Sequence, residues 1–133
     1  MVVTEFERPD RQDLVVAARD RWSSVISVEA GRQYTFGARG IWIDAYITCG
    51  PEGYSVWWLR LFEPLRVLPT ANWFCLVGRF DRDERDVPAM MIEIGARCTW
   101  TAAADGKITF FANDVPGMYW NNRGEVALEI LRR

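Results

Sequence analysis

At 133 residues, half of them hydrophobic and 14% aromatic, the chain has the length of one domain and the apolar content for a real core, which excludes a disordered tail. Net charge is −2, and the basic residues, all arginine but one, are scattered among acids, so no basic stripe argues for nucleic acid. No run reaches the roughly eighteen apolar residues of a membrane span, and the absence of histidine removes Ser-His-Asp and Cys-His catalysis together with the commonest transition-metal ligand.

Residues 1–12 are polar and read as an N-terminal arm, with 13–133 as a single domain. Met1 to Arg8 carry charge but no apolar h-region, so no signal peptide is expected. That start points to a cytoplasmic location, with non-classical export as the alternative. Cys49, Cys75 and Cys98 are odd in number and widely spaced, which is neither a disulfide framework nor a zinc pattern. Cys75 lies in an apolar run, where a small buried hydrophobe is expected.

The elements read as short strands. Asp13 to Ala18 is the first, followed by a turn over 19–21 and a second strand over Trp22 to Val28, with Trp22, Ile26 and Val28 on one face. After a turn at 29–32, Tyr34, Phe36 and Ala38 alternate with Thr35 and Gly37. Beyond Gly40, Ile41, Ile43, Ala45 and Ile47 alternate with Trp42, Asp44, Tyr46 and Thr48. This period of two is strand periodicity. Cys49 to Gly53 is a loop, Tyr54 to Phe62 an aromatic segment, and Pro64 and Pro69 bracket a connection. Trp73 to Val77 reads as a central strand, and the charge run Asp81 to Asp86 as a solvated hairpin tip. Ala89 to Ile94, Cys98 to Thr101, Ile108 to Ala112 and Val126 to Leu131 complete the series, with an Asp-Gly turn at 104–107. Eight or nine such strands, separated by turns about every 8–12 residues, predict a β-sandwich or barrel. Trp22, Trp42, Trp73 and Trp100 fall in strand patterns and are expected in the core, where aromatics bury large areas. Trp57, Trp58 and Trp120 lie near loops and are candidate surface groups.

The longest connection is Asn113 to Gly124, twelve residues where hairpin loops commonly use about two to five. Its chemistry is nearly all oxygen: the carboxylate of Asp114, the carboxamides of Asn113, Asn121 and Asn122, and the carbonyls around Pro116-Gly117. Hard cations such as calcium take about six to eight oxygen ligands, of which this loop supplies about four, leaving open positions for a ligand. The same residue types are ordinary turn formers, so a plain connection is the competing reading. The alternating acids and closing Glu of an EF-hand are absent.

The segment Asn113-Asp114-Val115-Pro116-Gly117, with Tyr119, Asn121-Asn122 and Gly124, resembles the calcium loop of the LecA-type (PA-I-like) galactophilic bacterial lectins. Leu14 to Gly31 is similar to the first two strands of that family, Gly40 to Trp42 to its Gly-Trp segment and Gly50-Pro51-Glu52-Gly53 to its Gly-Pro-x-Gly loop. Thr99 to Gly124 follows its final hairpin, so the resemblance spans roughly residues 13 to 131. It implies a jelly-roll-like antiparallel β-sandwich, galactose-binding-domain-like, and a calcium-dependent lectin. Calcium would be held by the side chains of Asp114, Asn121 and Asn122 and by the carbonyls of Met118 and Ala45, with Asp44 a further carboxylate if it points inward. The sugar, galactose or another glycan, would meet Asp114, Val115 and Asn121. Trp57 and Arg60 stand where the galactose binder has its histidine and glutamine, and Trp120 replaces a glycine, so a different sugar preference is expected. The resemblance also implies a homo-oligomer that gains avidity from several sites. Two other readings stay open: a calcium-stabilised structural or protein-interaction module without sugar binding, and an enzyme using carboxylates such as Asp44, Glu52 or Glu63. Glycoside hydrolysis requires two carboxyls facing across a cleft, which no spacing here supplies, so no enzyme is expected.

Overall fold

The computed structural model describes residues 3–4 and 10–133. Among the described residues, ten strands occur in the order β1 (Val3–Thr4), β2 (Arg11–Ala17), β3 (Val25–Val28), β4 (Gln33–Asp44), β5 (Ile47–Cys49), β6 (Leu76–Arg82), β7 (Met90–Glu93), β8 (Arg97–Thr101), β9 (Gly106–Ala112) and β10 (Asn122–Arg132). One sheet runs β1-β3-β9-β6-β7; the other runs β2-β10-β4-β5, with β8 also pairing along β4. Among the described residues, all strand pairings are antiparallel except β1 beside β3. This is the expected all-β sandwich.

Period-two alternation closes it. Along β10, Val126, Leu128 and Ile130 are buried while their neighbours face outward, and Tyr34, Phe36 and Trp42 do the same along β4. These meet Ile26, Leu76, Phe80, Ile108 and Phe110 of the opposite sheet in one core. A second, smaller cluster lies on the other face of the β6–β9 pair, where Val77 and Phe111 pack with Tyr119 under Val67 and Leu68. The long loop is therefore seated on hydrophobic ground through Tyr119.

Several boundaries move. Part of the 1–12 arm falls outside the described residues; within it, Val3–Thr4 pairs with β3, and Arg11 and Gln12 already belong to β2. Trp22 is not core: it is half exposed, ahead of β3, on a turn in which Asp20 accepts the backbone N–H groups of Trp22 and Ser23. Its ring lies against the guanidinium of Arg21, 4.5 Å from its centroid, so cation–π contact replaces burial. The alternation beyond Gly40 is broken by a two-residue turn at Ala45-Tyr46, with Ala45 at φ 55°. The apolar run at Trp73 enters β6 only at Leu76, and β6 runs on to Arg82, so the charge run lies partly in the strand. Trp57–Leu65 forms a 3-10 helix with no buried residue, and no helix among the described residues is long and apolar enough to cross a membrane.

Candidate functional site

The long loop is shorter than its turn residues suggest. Tyr119–Asn121 form a single 3-10 turn and Asn122 begins β10, so the irregular stretch covers only 113–118. It is fastened at both ends. Asn113, fully buried, receives the Leu68 N–H at Oδ1 (2.9 Å), and its Nδ2 donates to the carbonyls of Leu68 (2.8 Å), Asn72 (3.0 Å) and Ala71 (3.2 Å). Both ends of that carboxamide are thus occupied in tying down the connection before β6, and Asn113 offers no oxygen to a ligand. At the far end Arg19 donates to the Trp120 carbonyl (2.6 Å), the Tyr119 hydroxyl donates to the Ala112 carbonyl (2.5 Å), and Asn122 Nδ2 donates to the Ala18 carbonyl (3.0 Å).

Between these anchors three oxygens are buried with no hydrogen-bond partner: Asp114 Oδ2, Asn121 Oδ1 and Asn122 Oδ1. Buried polar atoms are nearly always paired, so orphans require an explanation. Asn122 is oriented by its bond to Ala18, and Asp114 by its Oδ1, which accepts the Val115 N–H at 2.7 Å. Each therefore leaves its remaining oxygen unpaired. One carboxylate and two carboxamide oxygens are donors of the type that hard cations take, and these residues could hold one. The two carbonyls expected beside them are partly engaged. Met118 caps the 3-10 turn, where its carbonyl takes the first helical bond, and the Ala45 carbonyl accepts from Arg123 at 3.1 Å. A carbonyl has two lone pairs, so one remains on each.

Asp44 lines the same cleft as Asp114 and Asn121. It ends β4 directly opposite Asn122, two residues on from buried Trp42 and on the same face. Where the core stops, that face opens into a cleft of about 360 Å³ lined by Asp44, Asp114, Val115, Met118 and Asn121 on one side and Leu59, Phe62, Leu65 and Trp73 on the other. Tyr54 donates its hydroxyl to Asp44 Oδ2 at 2.5 Å. Tyr54 is delivered there by the 50–53 loop, which docks through Leu76 N–H on the Pro51 carbonyl and Tyr54 N–H on the Trp73 carbonyl. Gly53 makes the docking feasible: a Cβ at this position would lie 2.1 Å from the Trp73 carbonyl oxygen.

Burial pushes the Asp114 carboxyl up to about 6; the Val115 N–H and Asn122 favour its charged form, while the Asp44 charge opposes it. Asp44 is also raised by burial, against the Tyr54 hydrogen bond. Among the described residues, neither carboxylate has a cationic side-chain partner, and no group of three or more His, Cys, Asp or Glu gathers anywhere.

The structure thus brings Asp114, Val115, Met118 and Asn121 to one cleft, places Asn122 and Ala45 beside it in β10 and the β4–β5 turn, and adds Asp44, which alternation alone left undirected. Trp57 and Arg60 are exposed and outside the cleft lining, on the helix whose Leu59 and Phe62 form its wall. Trp58 and Trp120 are exposed too, and Trp120 does not line the cleft.

No protein-family model matches this chain, and no curated protein sequence matches it. Its structure is similar to a solved one described as the EclA N-terminal domain, a PllA-like lectin, with a TM-score of 0.66 and 19% identity over 91% of this chain and 95% of that one. Two periplasmic inhibitors of g-type lysozyme, PliG from Aeromonas hydrophila and from Salmonella Typhimurium, align over 99% of this chain and 95% and 96% of theirs. Both have TM-scores of 0.44, at 10% and 11% identity, too distant to carry an argument. The first likeness shows a lectin-like fold.

Proposed function

We propose that this protein is a calcium-dependent carbohydrate-binding protein acting at the cleft between the 113–122 segment and the 57–65 helix. The observation that carries the reading is the trio of unpartnered buried oxygens on Asp114, Asn121 and Asn122, supported by a sandwich of the same fold as a PllA-like lectin. Asp114 Oδ2, Asn121 Oδ1 and Asn122 Oδ1 would be the side-chain ligands, with the carbonyls of Met118 and Ala45. Bound calcium supplies a positive centre with exchangeable waters, which two neighbouring sugar hydroxyls can replace. Asp114 and Asn121 line the cleft and would accept hydrogen bonds from those hydroxyls, with the charge on Asp114 strengthening its bond. Val115 and Met118 line one side of the cleft, and Leu59, Phe62 and Leu65 form its opposite, apolar wall. Trp57 and Arg60 would touch only a ligand extending beyond the cleft. Each site is weak because a monosaccharide buries few atoms. A homo-oligomer would turn several such sites into avidity.

A specific observation favours a second reading, that of a calcium-stabilised interaction module: Trp57, Trp58, Leu61, Phe62 and Leu65 form an exposed apolar surface along one short helix, and contiguous patches of this kind mark protein contacts. A glycan array in calcium and again in EDTA separates the two. Chelator-sensitive binding to galactosides or another neutral glycan is expected. No glycan bound in calcium, by a protein that still binds the ion, would leave the interaction module. We propose no catalysis, and steady hydrolysis of an aryl glycoside would replace the binding reading by one in which Asp44 and Asp114 are the carboxyl pair.

A further inference from the structure

We infer that Asp44 is the second carboxylate ligand of the cation site, held in place by Tyr54. The inference rests on the calcium reading and adds to it a second carboxylate, from the end of β4. Three observations carry it. Asp44 stands opposite Asn122 in the β4–β10 register, on the face of β4 that carries Trp42 into the core, and it lines the same cleft as Asp114 and Asn121. Its Oδ2 is fixed by the Tyr54 hydroxyl, which leaves Oδ1 to face a ligand. Finally, two half-buried to buried carboxylates share one cleft, and neither has an arginine or lysine partner among the described residues.

Like charges brought together out of water repel one another and lose hydration, so such a pair persists where an opposite charge joins it. Arg123, the nearest candidate along β10, instead directs its guanidinium to the Ala45 carbonyl. Asp114 and Asn121 line this cleft, Asn122 faces Asp44 in the register, and each of the three carries an unpartnered oxygen, a neutral-and-anionic oxygen set that suits a divalent ion. With Asp44 included, two carboxylates face the two positive charges of the ion. Ligand charge is one of the main determinants of calcium affinity, so Asp44 makes the site tighter than the loop alone would be.

The test is calcium titration of the full chain by calorimetry, for wild type and Asp44→Asn, with the thermal midpoint of each protein in EDTA as the second readout. Asp44→Asn is expected to weaken calcium binding by about tenfold or more, while unfolding in EDTA at the same or a higher temperature, because it removes one of two repelling charges. A merely structural Asp44 gives the reverse: a lower midpoint in EDTA and wild-type calcium affinity. Asp44→Ser gives up the carboxylate with a smaller side chain and serves if the Asn variant does not fold. Terbium, excited through the nearby Trp73 and Tyr54, provides an independent affinity scale. Calcium bound by Asp44→Asn as tightly as by wild type overturns this inference and leaves the loop site standing. No calcium bound by wild type overturns both.

Discussion

The two walls of the cleft break the ordinary partition of a globular protein in opposite directions. The 113–122 wall is polar and buried, with Asn113, Asp114 and Asn122 nearly inaccessible. The 57–65 wall is apolar and exposed, with Trp57 at 80% and Leu61 at 88% of full accessibility. Burying unpaired oxygens and exposing aromatic rings both cost free energy, and a chain that does both at one place is shaped by something other than its own stability. The polar wall, fixed by two sets of hydrogen bonds, suits a demanding coordination geometry. The apolar wall, whose helix has no buried residue, suits a surface that a ligand or partner covers.

Within the polar wall the comparison sharpens between neighbours. Asn113 is satisfied on every side, whereas Asp114 is not. Asn113→Ala should therefore strip the 68–72 connection of its ties and cost about 3 kcal/mol, with several buried groups left unpaired. Its midpoint should fall by roughly 10 °C in calcium and in EDTA alike. A fall seen only in calcium would make Asn113 a ligand and break the distinction.

The next effect is a pH dependence. The Asp114 carboxyl is held above its ordinary value, at about 6, so in the metal-free protein its contribution is stabilising below about pH 4 and is lost as pH rises through about 6. In EDTA, wild type should lose a few degrees relative to Asp114→Asn across that window and run parallel to it above about pH 7. Calcium should invert the trend, since only the ionised carboxylate ligates. Parallel curves throughout in EDTA would mean that Asp114 is not destabilised by burial.

The smallest effects belong to the apolar wall. Leu61→Ser and Trp57→Ser should change stability by less than about 0.5 kcal/mol, as exposed substitutions do, and leave calcium affinity unchanged. They should act only on binding of extended ligands or on self-association, read by glycan titration and light scattering. A large loss of stability would show the helix to be structural.

The division between walls also marks what could be read from the chain. Sandwich architecture was legible because alternation such as Tyr34, Phe36 and Val126, Leu128, Ile130 is enforced by burial of one face. Asp114, Asn121 and Asn122 could be singled out because they sit within nine residues of one another in a recognisable order, and the structure leaves one oxygen of each unpartnered. Asp44 was not, since its direction depends on where the core ends beneath β4, a property of packing rather than of periodicity. Asn113 looked like a donor of the same kind as its neighbours, and only its four hydrogen bonds to the 68–72 connection remove it from the set. Trp22 looked like core because its parity matches Ile26 and Val28, but β3 starts only at Val25, and Arg21 gives the indole a partner at the surface. The 57–65 helix was hidden by β-favouring aromatics, which carry no signal for a 3-10 helix containing Pro64.

If the orphaned oxygens of the polar wall hold a cation, that cation must stabilise the fold. Thermal unfolding in millimolar calcium against EDTA, for wild type and Asp114→Ala, tests it most directly. A ligand at a hundred times its Kd stabilises by about 2.7 kcal/mol, which for this chain length raises the midpoint by roughly 10 °C. That rise is expected in wild type and its loss in Asp114→Ala, with the variant in EDTA no less stable than wild type. Identical midpoints for wild type in calcium and in EDTA would contradict it.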